Sequence, residues 1–172
     1  FYEGGIRVPF IIKGPGIPQN KVIPGPVISN DIFPTMLEMT GLSLRPGQHL
    51  DGISLWPIIT GEKSSLIKRE LFWHHPHYQT LAPHGAVRSG RWKLIEHYED
   101  NRVELFNLEK DLGEQTNLAQ EKPDKVQEMR NLLYDHFKAV NAQIPEENPD
   151  YDPERAGTKE RGEYDDEEFE QD

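Results

Sequence analysis

The stretch LFWHHPHYQ, residues 71–79, sets three imidazoles, a tryptophan and a tyrosine close together in the chain. Three histidines are enough nitrogen donors for a transition metal, and an imidazole can equally hydrogen-bond a sugar hydroxyl or pair with an anionic oxygen. Local geometry bears on the choice. If ELFWHH is a strand, His74 and His75 point to opposite faces and Pro76 ends the run before His77, so a close triad of metal ligands is hard to build. Two readings stay open: a wall facing a substrate, with His74 and His77 as its contacts, and plain aromatic packing. His75 is the weakest candidate of the three. Trp73 and Tyr78 could stack on a sugar ring or staple this piece to other polypeptide.

Other side chains offer less. Arg88 and Lys93 fall on a predicted hairpin, where one could reach an anionic substrate and the usual fate of a strand-surface charge is solvation. Glu3, before Gly4 and Gly5, could orient a neighbour, and Arg7 suits an ion pair. Asp31 reads as a helix cap and Asp51-Gly52 as a turn. Residues 109–111 with Glu114 form an acidic turn without the dense oxygen pattern of a calcium loop.

The elements that must position these residues change in kind along the chain. IRVPFIIKGPG has a continuous apolar core and a Gly-Pro-Gly stop, which predicts a strand buried on both faces. Asn30-Asp31 then opens a short helix over IFPTMLEMT, closed by Gly41, with Phe33, Met36, Leu37 and Thr40 on the face turned to the sheet. Residues 42–68 read as a long connection with one or two helical turns around LDGISLWPIITGE. From Arg69 the period becomes two. ELFWHH, GAVRS, RWKLIEHY and VELFNL are four predicted strands, with turn chemistry at Ser89-Gly90 and Asp100-Asn101. In the third, Trp92, Leu94 and Tyr98 alternate with Lys93, Ile95 and His97, the pattern of a half-buried antiparallel strand. Pro123-Asp124 opens one long helix with Val126, Met129, Leu133, Phe137 and Val140 at helical spacing.

The fold class is therefore α+β: the end of an α/β sheet (strand plus helix), then a small antiparallel four-stranded sheet packed by one long C-terminal helix. Residues 1–68 form the first part with its connection, 69–145 the second, and 146–172 an acidic tail expected to be disordered. Of the 172 residues, 30 are acidic and 19 basic; 13 of the acids and three of the bases lie in 146–172, so the tail holds −10 of the net −11. The near-neutral body offers no basic face for nucleic acid. There are no cysteines, which excludes disulfides and thiolate chemistry. No apolar run approaches a membrane span. The start at Phe1 reads as that of a piece of a longer chain.

The motifs FYEGGIRVPFIIKGPG, NDIFPTMLEMTG, LDGISLWPIITGE, AVRSGRWKLI and ELFNLEKDLGEQTNLA, in that order, resemble the C-terminal third of the type I, formylglycine-dependent sulfatases of the alkaline phosphatase superfamily. The resemblance runs over roughly residues 1–153. RELFWHHPHYQ and IPEENPDYDP look most like the glycan sulfatases of Bacteroidetes. What the resemblance implies is a parent enzyme that hydrolyses a sulfate ester of a sulfated carbohydrate or an aryl sulfate, in the periplasm or outside the cell. Its formylglycine hydrate would attack sulfur while a calcium ion polarises the sulfate. This chain lacks the C/S-x-P/A-x-R signature, so no catalytic or metal-binding residue is assigned to it. The resemblance implies that the 71–79 stretch, with His74 or His77, can face substrate and that the chain is inert alone; Arg88 is a substrate-binding candidate from its place on the predicted hairpin.

Two alternatives stand beside it: part of a phosphonate or phosphate-ester hydrolase of the same superfamily, and a free-standing carbohydrate-binding or interaction module using Trp73, His74, His77 and Tyr78. A strand removed from a larger sheet exposes its edges, so self-association through residues 5–13 is a further expectation.

Overall fold

The computed structural model describes residues 1–78, 82–146 and 148–151. The tail expected to be disordered lies, from residue 152 on, outside the described residues. Four strands form one antiparallel meander in the order β1 (Glu70–His75), β2 (His84–Ser89), β3 (Trp92–His97) and β4 (Val103–Asn107). Each predicted strand is present. The tight β2–β3 turn uses Gly90 at φ 57°, and the β3–β4 loop uses Asn101 at φ 55°, positions where a left-handed backbone favours these residue types.

The long helix α4 (Pro123–Ala139) starts with proline in its first turn and carries His136 and Lys138 in its last. It lays Met129, Leu133 and Phe137 on Val87, Leu94 and Leu105 of the sheet, and these six residues form the main core. Val140 falls just past the helix end and is half exposed. Gly85 lies where this packing is closest. A Cβ there would meet the Tyr98 hydroxyl at 2.1 Å and Phe137 at 3.0 Å.

The other face of the sheet is also covered. Residues 1–6, ending in the one-turn helix α1 (Glu3–Ile6), cross it as a strap. Phe1 and Trp73 cap a second apolar cluster of Ala86, Ile95, Phe106 and Leu108. This corrects the half-buried reading of β3: Leu94 and Ile95, on opposite faces, are both wholly buried, and so is Lys93.

The apolar run at residues 6–12, expected as a buried strand, forms no ladder. Among the described residues the sheet is the four-stranded meander alone, and neither β1 nor β4 pairs with this run. Val8, Phe10 and Ile11 are exposed instead, Ile11 at 89%. Farther along, α2 (Ile32–Met39) follows a 3-10 turn at Ser29–Asp31, and α3 (Trp56–Thr60) follows the predicted turn. The buried face of α2 is not the expected one. Phe33 and Met36 are exposed, while Pro34 and Thr35 are buried because Thr35 accepts from Leu55 N–H at 2.8 Å and donates to Asp31 C=O. The helix packs on the 52–60 segment rather than on the sheet. Gly52 permits the contact, since a Cβ there would stand 2.1 Å from Asn30 C=O. Leu55, Ile58 and Ile59 make a small core with Ile12, Ile17 and Ile23. Among the described residues no helix is long and apolar enough to cross a membrane.

Candidate functional site

Strand alternation separates the three histidines of β1 and its exit. His74 turns to the α4 face, with its ring 4.5 Å from Phe137. Gln143 C=O accepts from its Nε2 at 2.8 Å, which leaves Nδ1 as the acceptor for the Tyr98 hydroxyl at 2.7 Å. Burial pushes the Tyr98 phenol well above its ordinary pKa, so it stays a donor. Both ring nitrogens of His74 are thus committed within the fold.

His75 and His77 lie on the strap side, their rings 4.1 Å apart, with His77 exposed at the end of the strand. His75 continues inward to His84 (5.9 Å between rings), and His84 to His97 (5.8 Å). These three are directly paired positions of β1, β2 and β3, so strand register alone lines them up. Beyond His97, Glu104 accepts from Tyr2 at 2.8 Å, meets His97 Nε2 at 3.0 Å and pairs with Arg102. Sequence reasoning ranked His75 lowest and did not single out His84 or His97; the signal was the even spacing of strand positions once the hairpin register is set. Tyr78 is exposed beside His77, while Trp73 is half buried against Phe1.

Arg88 and Lys93 are neighbours on the same face, Lys93 wholly buried and Arg88 partly so. Lys93 Nζ, with no exposed surface, lies 3.0 Å from Glu3 Oε1 and 2.8 Å from Glu114 Oε1. Arg88 reaches Glu3 at 3.5 Å, and Arg7 reaches it at 3.7 Å. Glu114 also accepts from Glu3 N–H, from a left-handed backbone at φ 53°. The acidic turn therefore supplies one internal counter-ion, and its Asp111 accepts from Gln115 and Thr116 N–H groups. These pairs hold the strap to the sheet; each buried charge is matched, as burial demands. The strap side opens into a cleft of about 710 Å³ bordered by Tyr2, Glu3, Arg7, Glu104 and Glu114.

Asp31 does more than the expected cap and does it elsewhere. Its carboxylate accepts from Ile28 and Ile53 N–H, both at 3.0 Å, and takes Arg69 on both oxygens, joining three segments just before β1. Among the described residues no group of three or more His, Cys, Asp or Glu side chains is placed to hold a metal ion.

Residues 1–143 match the family described as N-sulphoglucosamine sulphohydrolase, C-terminal. A sulfatase of Formosa agariphila is 37% identical over 137 residues, 73% of this chain and 25% of the relative. The Delta 4,5-hexuronate-2-O-sulfatase of Bacteroides thetaiotaomicron is 33% identical over 158 residues, 88% of this chain and 31% of the relative. The chain thus spans less than a third of the length of either. The solved structure of a 2-O GAG sulfatase superposes with a TM-score of 0.58 at 31% identity, over 75% of this chain and 29% of that one.

Proposed function

Since this chain belongs to the sulfatases, through the C-terminal family that spans residues 1–143, we propose that it forms one wall of a sulfate-ester pocket in a larger glycan-desulfating enzyme. The observation that carries the proposal is the pair His75–His77 at the end of β1 on the strap side, with His77 exposed and Tyr78 beside it. An imidazole there can donate to a sulfate oxygen or a sugar hydroxyl, and a phenol ring can lie against the sugar. Of the three residues first expected to meet substrate, His77 keeps that role. His74 and Arg88 support the wall from inside: one anchors residue 143 to β1, and the other neutralises Glu3.

The attacking group and the cation fall to polypeptide other than these 172 residues. A formylglycine would supply the nucleophile and calcium the polarising charge. The sulfated hexuronate specificity named for the Bacteroides thetaiotaomicron relative makes a sulfated uronic acid the first substrate to try.

The test has two arms. The isolated chain, given calcium and an aryl sulfate, releases no sulfate; sustained turnover would overturn the division of labour. In the whole enzyme, His77→Ala raises KM for a sulfated glycan about tenfold, as expected for one lost charge-assisted hydrogen bond, and leaves turnover of a small aryl sulfate nearly unchanged. Equal kinetics for the glycan in variant and parent would remove His77 from the pocket.

A further inference from the structure

Helix α4 stops in a way that sends the chain back to β1. Asn141 takes a left-handed backbone at φ 51°. Ala142 N–H reaches back to Phe137 C=O at 2.9 Å, and Asn141 N–H to Lys138 C=O at 3.3 Å, the paired bonds of a Schellman stop. Ala142 packs on the α4 core, and the next carbonyl, that of Gln143, accepts from His74 Nε2. The helix end is therefore tied to β1 one residue after the reversal. His74 is held for this task on its other side, where the Tyr98 hydroxyl donates to Nδ1 and Phe137 supports the ring.

The returning segment brings a second tyrosine to the exit of β1. Both rings are available to a ligand, Tyr78 being 59% and Tyr151 64% exposed. Tyr151 is set by a turn on Asn148, whose side-chain oxygen accepts from Asp150 N–H at 3.0 Å and whose carbonyl accepts from Tyr151 N–H at 3.1 Å. The Tyr78 hydroxyl donates to Glu99, and the Tyr151 phenol lies near enough to act on it too. The Glu99 hydrogen bond first, then slight burial, the Glu99 charge and the Tyr151 phenol push Tyr78 above its ordinary 10.0.

A single exposed tyrosine is ordinary surface. Two near each other, one of them held by a carboxylate and next to an exposed imidazole, make flat apolar faces with a polar rim. A pyranose ring, apolar on its C–H face and polar at its edge, is the ligand that such a surface fits. We propose that Tyr78 and Tyr151 form a platform for the sugar next to the sulfated one, and that His74 is the positioning residue that brings Tyr151 to it. The identity of the sugar rests on the functional reading above; the pin between His74 and Gln143 does not.

The pin is read on the full chain without turnover. The NMR signals of the Tyr78 ring should move when Tyr151 is replaced by leucine and should move the same way in His74→Phe, which keeps a ring against Phe137 and loses the donor. His74→Gln, whose amide N–H can still reach Gln143 C=O, should restore the parent positions. Kinetics of the whole enzyme read the platform, with a disaccharide sulfated on its uronic acid as the probe. Tyr151→Leu should raise KM about fivefold, an effect in KM rather than kcat, as expected for one lost stacking contact. His74→Phe should give the same rise, and the double variant should exceed neither by more than about twofold, because both changes remove one contact. For the sulfated monosaccharide the rise should be at least about threefold smaller, since the platform lies beyond it. Tyr78 signals that ignore both changes would overturn the pin. Additive losses, an equal rise for the monosaccharide, or an unchanged KM in Tyr151→Leu would overturn the platform; where His77→Ala still raises KM, the wall itself survives that result. Should His74→Phe fail to fold, Tyr151→Leu decides, because its side chain is exposed.

Discussion

Under α4 the sheet presents Val87, Leu94 and Leu105 to Met129, Leu133 and Phe137; under the strap it presents Lys93, Arg88, Glu104 and three aligned histidines to Phe1, Tyr2 and Glu3. Both faces are covered, yet they are held by different physics. The first face gains from every buried methylene and tolerates volume-conserving change. The second gains little net energy from its ion pairs but is exacting, because removing one partner strands a charge out of water. It follows that the strap face should specify position more than it adds stability, which suits the proposed role of this surface as a wall held in register.

The largest effect should come from unbalancing the exacting face. Lys93→Met leaves Glu3 and Glu114 facing each other in burial and should cost about 3–5 kcal/mol in urea unfolding. Adding Glu3→Gln and Glu114→Gln should recover a large part of that loss, the non-additive signature of a shared network. A loss under about 1 kcal/mol for the single change would mean that the strap does not bury Lys93 and that only one face of the sheet is covered.

Next in size is a deletion on the tolerant face. Met129→Ala should cost about 2–3 kcal/mol, from lost apolar burial and the cavity left behind. Here no partner substitution should rescue, while Met129→Leu should cost less than about 1.5 kcal/mol. Rescue of Met129→Ala by a change at a charged residue would blur the contrast between the faces.

The difference between the faces also explains what could be read from sequence. Strands, turns and α4 follow from period and punctuation, so β1 to β4 and Pro123–Ala139 were legible within a residue or two. The α4 face was legible too, since its apolar residues repeat at helical spacing. The strap face was not: alternation marks Lys93, His97 and Glu104 as polar, and polar strand positions normally face water. Only the return of residues 1–6 across the sheet, a contact spanning some 90 positions, turns them inward. The α2 face failed for a related reason. Phe33 and Met36 have the right spacing, but Asp31 and Thr35 bind the 52–55 segment by hydrogen bonds that carry no period. The histidines of β1 were half legible, since opposite faces for His74 and His75 follow from pleating, whereas the inward row to His84 and His97 depends on register across two hairpins.

The smallest effect concerns a buried charge on the tolerant face. Glu96 is 1% exposed and is held by Arg130 at 2.6 Å and by the Tyr134 hydroxyl at 2.8 Å. Tyr134→Phe removes one donor and leaves the ion pair, and the phenol is partly exposed, so the cost should be about 1 kcal/mol near neutrality. Burial and the hydrogen bond to Glu96 push the Tyr134 phenol above its ordinary 10.0. A raised folded-state value gives stability that is present below 10.0 and is lost as pH rises through the folded value. The gap between parent and variant should therefore narrow in alkali, although both lose stability there because the Tyr2 and Tyr98 phenols are raised as well. A gap that stays constant with pH would place the cost in packing rather than in the hydrogen bond, and Glu96 would then owe its burial to Arg130 alone.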